Sequence, residues 1–220
     1  MPSANYLIIG DGPTVGDEYL RNLATGRTVV ALDGAADKLR CIDLIPNIIL
    51  GDFDAIEDRT YWGIPSRSEN SSEEPFMGNH GVQIVVASDQ DLTDMEKGIL
   101  FSDSLQASSI VITDAIGGRM DHTLGNIRFL KKYHRTERPI EIITDTHRLR
   151  YIRDEQFTIM GSAGSPCGIF GFPSAVATTQ GLKYDIKDYD LEFAETDSIA
   201  NSFVQSSATI SAVGEALVIW

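Results

Sequence analysis

Six short apolar runs alternate with helix-like stretches through the first two-thirds of this chain, and that alternation restricts it to an α/β fold. The runs are Tyr6–Ile9, Thr28–Leu32, Ile48–Leu50, Gln83–Val86, Ile110–Ile112 and Ile140–Ile143. They are rich in Ile and Val and mostly end in Gly, Asp or Thr, as strands buried on both faces do. Between them, Thr93-Asp94-Met95-Glu96 has the capping-box form and opens a helix running towards Leu105. Leu124, Ile127 and Leu130 recur at helical spacing, with Lys131 and Lys132 placed to complement a helix C-terminus. Strands alternating with helices predict a Rossmann-like, mostly parallel sheet covered on both faces.

The last third has a different grammar. Gly161, Gly164, Pro166, Gly168, Gly171 and Pro173 punctuate short β-like pieces such as Ala175–Thr179, Ala208–Ser211 and Ala216–Trp220. Frequent turn residues between short runs predict a small all-β domain. The expected division is 1–150 and 151–220, with the boundary near Arg148–Gln156. Ser66–Gly81, rich in Ser, Asn, Glu, Pro and Gly, reads as a mobile loop within the first domain.

Charge narrows the partners. A formal net charge of -14 over 220 residues repels phosphate backbones and anionic lipid, which argues against nucleic acid and membrane surfaces. Small phosphorylated ligands stay open, because a bound divalent cation reverses the local sign. The two cysteines, Cys41 and Cys167, are far apart and lack metal-site spacing, so neither a disulfide framework nor a zinc site is expected. No signal-like or membrane-spanning run begins the chain, and the expected compartment is the cytoplasm.

Ligands of open α/β sheets bind outside the carboxyl ends of the strands, so the residues following each run carry the functional weight. Four consecutive runs deliver acidic or glycine-rich turns: Asp33-Gly34-Ala35-Ala36-Asp37, Gly51-Asp52-Phe53-Asp54, Asp89-Gln90-Asp91-Leu92-Thr93-Asp94, and Thr113 through His122. In an extended turn Asp52 and Asp54 project to one side, where both carboxylates suit a hard cation such as magnesium. The pair alone reads equally well as a surface turn capping backbone amides. The second acidic cluster favours metal, since Asp91 and Asp94 are placed to reach the same cation. Asp94 and Lys97 share a helix face. Gly117-Gly118-Arg119 precedes a helix expected to begin near His122, a pattern that admits a phosphate; the bland alternative pairs Arg119 with Asp121.

These four segments, in this order and spacing, resemble the thiamine pyrophosphokinase (thiamine diphosphokinase) family across nearly the whole chain. The resemblance implies an α/β catalytic domain followed by a β-sandwich domain, a homodimer with thiamine bound between subunits, and transfer of pyrophosphate from ATP to thiamine. It implies magnesium ligands at Asp52, Asp54 and Asp94, with Asp91 a further candidate. Catalytic roles fall to Asp94 and Arg119. Nucleotide or diphosphate contacts fall to Asp33, Gly34, Gln90, Thr93, Lys97, Gly118, Arg119, Asp121 and His122. Thiamine contacts fall to Thr179, Tyr184, Ser198 and Asn201. The chain departs from the family pattern at Ala55 and Ala200, each standing where a serine is usual. Two other readings share the same residues. An aspartate-nucleophile phosphatase would use Asp52-Phe53-Asp54 but leaves Gly117-Gly118-Arg119 without a task. A non-catalytic nucleotide or thiamine sensor would bind without turnover.

Overall fold

The computed structural model describes residues 4–65 and 74–220. The chain divides into two compact units, residues 1–129 with 143–145, and residues 130–142 with 146–220.

In the first unit β1 (Asn5–Ile9), β2 (Thr28–Leu32), β3 (Ile48–Gly51), β5 (Gln83–Val86) and β6 (Ser109–Thr113) pair in parallel in the order β6-β1-β2-β3-β5. A two-residue strand, β4 (Phe76–Met77), adds antiparallel to β5. Because side chains alternate across a strand, β1 splits its apolar residues between the two faces. Leu7 and Ile9 join Val29, Ala31 and Ile49 beneath α1 (Asp17–Ala24, contributing Leu20 and Leu23) and α2 (Ala35–Cys41, contributing Leu39). Ile8 and Leu32 face the other way, towards α4 (Asp94–Ser104), and they explain Gly98 in that helix: a Cβ there would lie 2.9 Å from Leu32 Cδ2. The sheet is therefore covered on both faces, as the alternation predicts.

Two details differ from expectation. The helix expected from His122 begins earlier, as α5 (Met120–Lys132), and Leu124 is 62 % exposed while Phe129 and Leu130 are buried. Of the expected loop Ser66–Gly81, residues 66–73 lie outside the described residues; the remainder carries β4 and a 3-10 turn over Asn79–Gly81, between α3 (Arg59–Trp62) and β5.

The second unit is an all-β sandwich. β12 (Ser207–Ile219) runs antiparallel between β8 (Arg148–Met160) and β9 (Pro166–Gln180). The other edge of β9 is shared, with β10 (Tyr189–Glu192) on residues 174–177 and β11 (Asp197–Ser202) on residues 166–170. Ile169, Ala177, Leu191, Phe203 and Ile210 fill the core. Strand β7 (Ile140–Ile143) lies at the division of the chain.

The pieces that read as short strands are thus parts of strands 13 to 15 residues long. Gly171 and Gly214 do not end them. Pairing slips by a bulge between Gly214 and Ala216 and resumes, and the Gly214 N–H donates to Asp154 Oδ1 at 2.7 Å. A bulge bends a strand where an isolated turn residue in the sequence suggests a stop.

Candidate active site

The carboxyl ends of the parallel strands open into a cleft of about 580 Å³, within the range of small-molecule sites. The cleft lies wholly in the first unit.

Asp33, Asp52 and Asp54 form its acidic centre, each offering a carboxylate oxygen within 4.8 Å of the others. Asp33 follows β2 with a left-handed backbone (φ 44°), and its N–H donates to Leu50 O on β3, which ties the two turns together. Its Oδ2 accepts from the Ala55 N–H at 3.4 Å, whereas Oδ1 is buried and accepts from no donor among the described residues. Burial first, then a hydrogen bond shared with the Asp54 carboxyl, push the Asp33 carboxyl up to about 7, and the charges of Asp94 and Asp54 add to this.

Asp52 and Asp54 do not project from an extended turn. Phe53 between them is left-handed (φ 63°) and buried in the core, and Asp52 Oδ1 accepts the Asp54 N–H at 3.2 Å. A tight turn around a buried aromatic anchor, not strand alternation, converges the two carboxylates. Burial pushes the Asp52 carboxyl upward. The Asp54 N–H, the Gln90 amide at 3.3 Å and the Lys97 charge outweigh it, leaving Asp52 below its ordinary value.

Thr93 caps α4 by accepting the Glu96 N–H at 3.3 Å, which places Asp94 in the first turn, where its Oδ1 pairs with the buried Lys97 at 3.0 Å. Asp94, Gln90, Thr93 and Lys97 line the cleft, but among the described residues the carboxylate that joins Asp52 and Asp54 at metal-ligand separation is Asp33. Asp91 is exposed and outside the lining, its N–H donating to Asp89 Oδ1 at 2.9 Å. Gly118, Arg119 and His122 line the cleft as well. The exposed Arg119 fork is folded back on Asp121, with Nε at 3.1 Å from Oδ1 and Nη2 at 2.6 Å from Oδ2, and this guanidinium draws the Asp121 carboxyl down to about 2. Asp121 and Gly34 stand just outside the lining, Asp121 beside His122, whose N–H it accepts at 3.0 Å.

Sequence reasoning passed over the turn after β1. Gly10, Asp11 and Gly12 line the cleft with Asp114, Ala115 and Asn126. Gly12 N–H donates to Asp114 O at 2.8 Å, and a Cβ on Gly12 would lie 2.4 Å from that oxygen. Burial raises the Asp114 carboxyl above its ordinary value against the opposing hydrogen bonds of the Val15 N–H and the Thr113 hydroxyl. The signal was available: Gly10-Asp11-Gly12 directly follows a strand, the same pattern that marks the other four turns.

In the second unit Asn201, Ser198 and Tyr184 come together. The buried Asn201 accepts the Tyr184 N–H at 3.0 Å and the Ser202 N–H at 2.9 Å through Oδ1, and its Nδ2 donates to Tyr184 O at 2.8 Å and lies 3.5 Å from Ser198 Oγ. Tyr184 is held by its backbone with its side chain exposed. Thr179 is occupied otherwise: Oγ1 donates to Asp185 Oδ1 at 3.1 Å and accepts the Ile186 N–H at 3.0 Å. Ala200, in the bulge between Ser198 and Asn201, is left-handed (φ 57°). Asn201→Ala is expected to cost about 2–3 kcal/mol in urea unfolding, because it strands buried backbone groups; an unchanged midpoint would leave Asn201 free for a ligand alone.

An open parallel sheet with a carboxylate-lined cleft over its carboxyl edge, followed in the chain by an all-β unit, defines a two-part α/β protein built to take a small polar ligand. The chain belongs to the thiamin pyrophosphokinase family. Residues 20–142 match the family's catalytic domain and residues 146–215 its vitamin B1 binding domain. It is 30% identical over 193 residues to thiamine pyrophosphokinase 2 of Arabidopsis thaliana and 29% identical over 189 residues to thiamine pyrophosphokinase 1 of the same plant, in each case over 78% of this chain. The matched region spans 64% of the length of those relatives. In fold it is similar to the crystal structure of thiamine pyrophosphokinase from Bacillus subtilis, with a TM-score of 0.79 at 22% identity over 98% of this chain and 97% of that one. The thiamin pyrophosphokinase from Geobacillus thermodenitrificans gives 0.77 at 24% identity, over 98% and 96%. Among the described residues no helix is long and apolar enough to cross a membrane.

Proposed function

We propose that the chain is a thiamine diphosphokinase, transferring the pyrophosphoryl group of ATP to the thiamine hydroxyl with release of AMP. The observation that carries this reading is the convergence of Asp33, Asp52 and Asp54 at 4.8 Å or less, in a family member, beside Lys97 and Arg119. Three hard oxygen donors, one of them buried with no hydrogen-bond donor among the described residues, fit a divalent cation better than they fit a bare carboxylate cluster. Magnesium would be held by Asp52 and Asp54 with Asp33, and Asp94 and Asp91 within the same acidic edge are the further candidates; when bound it supplies charge neutralisation for the phosphate oxygens.

The chain's own residues do the rest. Lys97 fixes Asp94 to take the proton of the attacking hydroxyl and pass it to water, while the hydroxyl oxygen bonds to the β-phosphorus, the bond to the α–β bridging oxygen breaks and AMP departs. Arg119 exchanges its exposed partner Asp121 for phosphate oxygens, a cheap exchange for a surface pair. Gly34, Gln90, Thr93, Gly118, Asp121 and His122 complete the nucleotide contacts. Thr179, Tyr184, Ser198 and Asn201 serve thiamine, with residues 1–150 as the catalytic part and 151–220 as the thiamine-binding part. Asn201 does so by fixing Tyr184. The working form is a cytoplasmic homodimer, and neither nucleic acid nor membrane is a partner.

The test follows thiamine diphosphate and AMP together in purified protein given thiamine, ATP and magnesium. Equimolar formation of both, lost on chelation, is the expected result. ATP-independent phosphate release, or binding of thiamine with no turnover, would overturn it.

A further inference from the structure

The cleft extends beyond its acidic centre, to residues that the pyrophosphoryl transfer leaves without a task. Asp33, Asp52 and Asp54 with Lys97, on the segments that follow β2, β3 and β5, supply polyphosphate chemistry, and Arg119 lines the cleft from the turn after β6. The other end is the crevice between β1 and β6, where the strand order turns back: β2 and β3 lie on one side of β1 and β6 on the other. Ligands of open α/β sheets lodge at such a switch point. The turns after β1 and β6 pack directly on one another here: Gly12 N–H donates to Asp114 O at 2.8 Å, and a Cβ on Gly10 or Gly12 would lie 2.7 or 2.4 Å from that oxygen, so these glycines set how Asp114 meets the cleft.

Asp114 lines this end and is 4 % exposed. Its Oδ1 accepts the Val15 N–H at 3.1 Å and lies 3.2 Å from the Thr113 hydroxyl, while Oδ2 is buried and accepts from no donor among the described residues. A buried carboxylate oxygen left without a donor is costly, and a ligand hydroxyl relieves that cost. Beside it, Asp11 stands half-exposed at the rim. Lys38 is turned onto the protein, with Nζ 2.9 Å from Asp11 Oδ1 and 2.6 Å from Gly12 O. Lys38 offsets part of the negative charge, and the remaining Asp114 oxygen is an acceptor that suits a neutral hydroxyl better than a phosphate.

We propose that this crevice takes the nucleoside end of the nucleotide, the ribose hydroxyls donating to Asp114 Oδ2 and to Asp11, so that the polyphosphate runs towards Asp52 and Asp54. This assignment rests on the ATP reading above.

Calorimetric titration with ATP, 2′-deoxy-ATP and 3′-deoxy-ATP in the presence of magnesium tests it in the unaltered protein. At least one deoxynucleotide binds about tenfold or more weakly, since a site built to bond a hydroxyl penalises its absence. In Asp114→Asn and in Asp11→Asn the penalty narrows. Equal affinity for the three nucleotides overturns the assignment whether or not Asp114→Asn folds, because the comparison needs no variant. Thiamine diphosphate formation in the same samples separates the two readings. Turnover that uses deoxynucleotides as well as ATP overturns the ribose assignment alone. Absence of ATP binding and of turnover overturns the kinase reading and the assignment with it.

Discussion

Asp54→Asn is expected to lower thiamine diphosphate formation by about a thousandfold or more while leaving the fold intact. The fold survives because Asp54 is exposed and the turn is held through other atoms. The Asp54 N–H donates to Asp52 Oδ1, Phe53 is buried, and the Phe53 carbonyl accepts from the Arg59 guanidinium. The asparagine keeps that backbone donor and nearly the same volume. What it removes is one negative oxygen from a site whose attraction for a divalent cation grows with each carboxylate. A thousandfold loss corresponds to about 4 kcal/mol of transition-state stabilisation, ordinary for a lost electrostatic contact at a reacting phosphate. The variant has a second signature: without the Asp54 carboxyl, the Asp33 carboxyl loses its shared hydrogen bond and one neighbouring charge, and it titrates lower than about 7. The coupled assay measures the first effect, carboxyl-resolved NMR the second, and circular dichroism checks the fold. Near-normal turnover in a folded variant would remove Asp54 from the cation site.

The sheet of the first unit was legible because its strands have buried apolar centres on both faces and read as short apolar runs. The β1 run Tyr6–Ile9 and the β5 run Gln83–Val86 need no tertiary knowledge to be seen. The capped start of α4 was equally local, a hydroxyl and a glutamate three residues apart. The sandwich strands were legible in kind but not in length. Gly171 and Gly214 act in β9 and β12 as bulge residues, and only the partner strand tells a bulge from a stop.

The site divides in the same way. That Asp52 and Asp54 share a turn follows from their spacing, but the reason they converge is the left-handed Phe53, whose ring is drawn into the core. Asp33 joins them through the β2–β3 pairing, across 19 residues of sequence, and no local pattern announces that. The Arg119–Asp121 pair was visible two residues apart, yet sequence offers no way to choose between that pairing and a phosphate. Asp114 stood within the turn Thr113 through His122 but drew no role, because its importance lies in contact with Gly12 and Val15, about a hundred residues away.

Asp33→Asn is expected to stabilise the cation-free protein at pH 8 while removing its stabilisation by magnesium. The sign follows from where the proton sits. In the folded chain the Asp33 carboxyl holds its proton up to about 7, whereas the unfolded chain releases it near the ordinary carboxylate value of about 4. Between those values the folded state binds more protons, so the contribution of Asp33 to stability falls as pH rises and is fully lost above about 7. The cost of ionising it is on the order of 2–4 kcal/mol, given its burial and its acidic neighbours. Asparagine carries no such cost, so the difference between variant and parent is near zero at pH 4 and grows to that figure by pH 8. In a chain of this size the change amounts to roughly 5–10 °C in the unfolding midpoint. Magnesium reverses the ranking, because a cation that binds the folded state stabilises the parent in proportion to the logarithm of its concentration and the asparagine variant much less. Thermal unfolding of both proteins at pH 5 and pH 8, with magnesium and with chelator, gives the four differences required. A variant less stable than its parent in chelator at pH 8 would show that Asp33 is satisfied by the protein itself, and the cation site would then have to be built on Asp52, Asp54 and Asp94 without it.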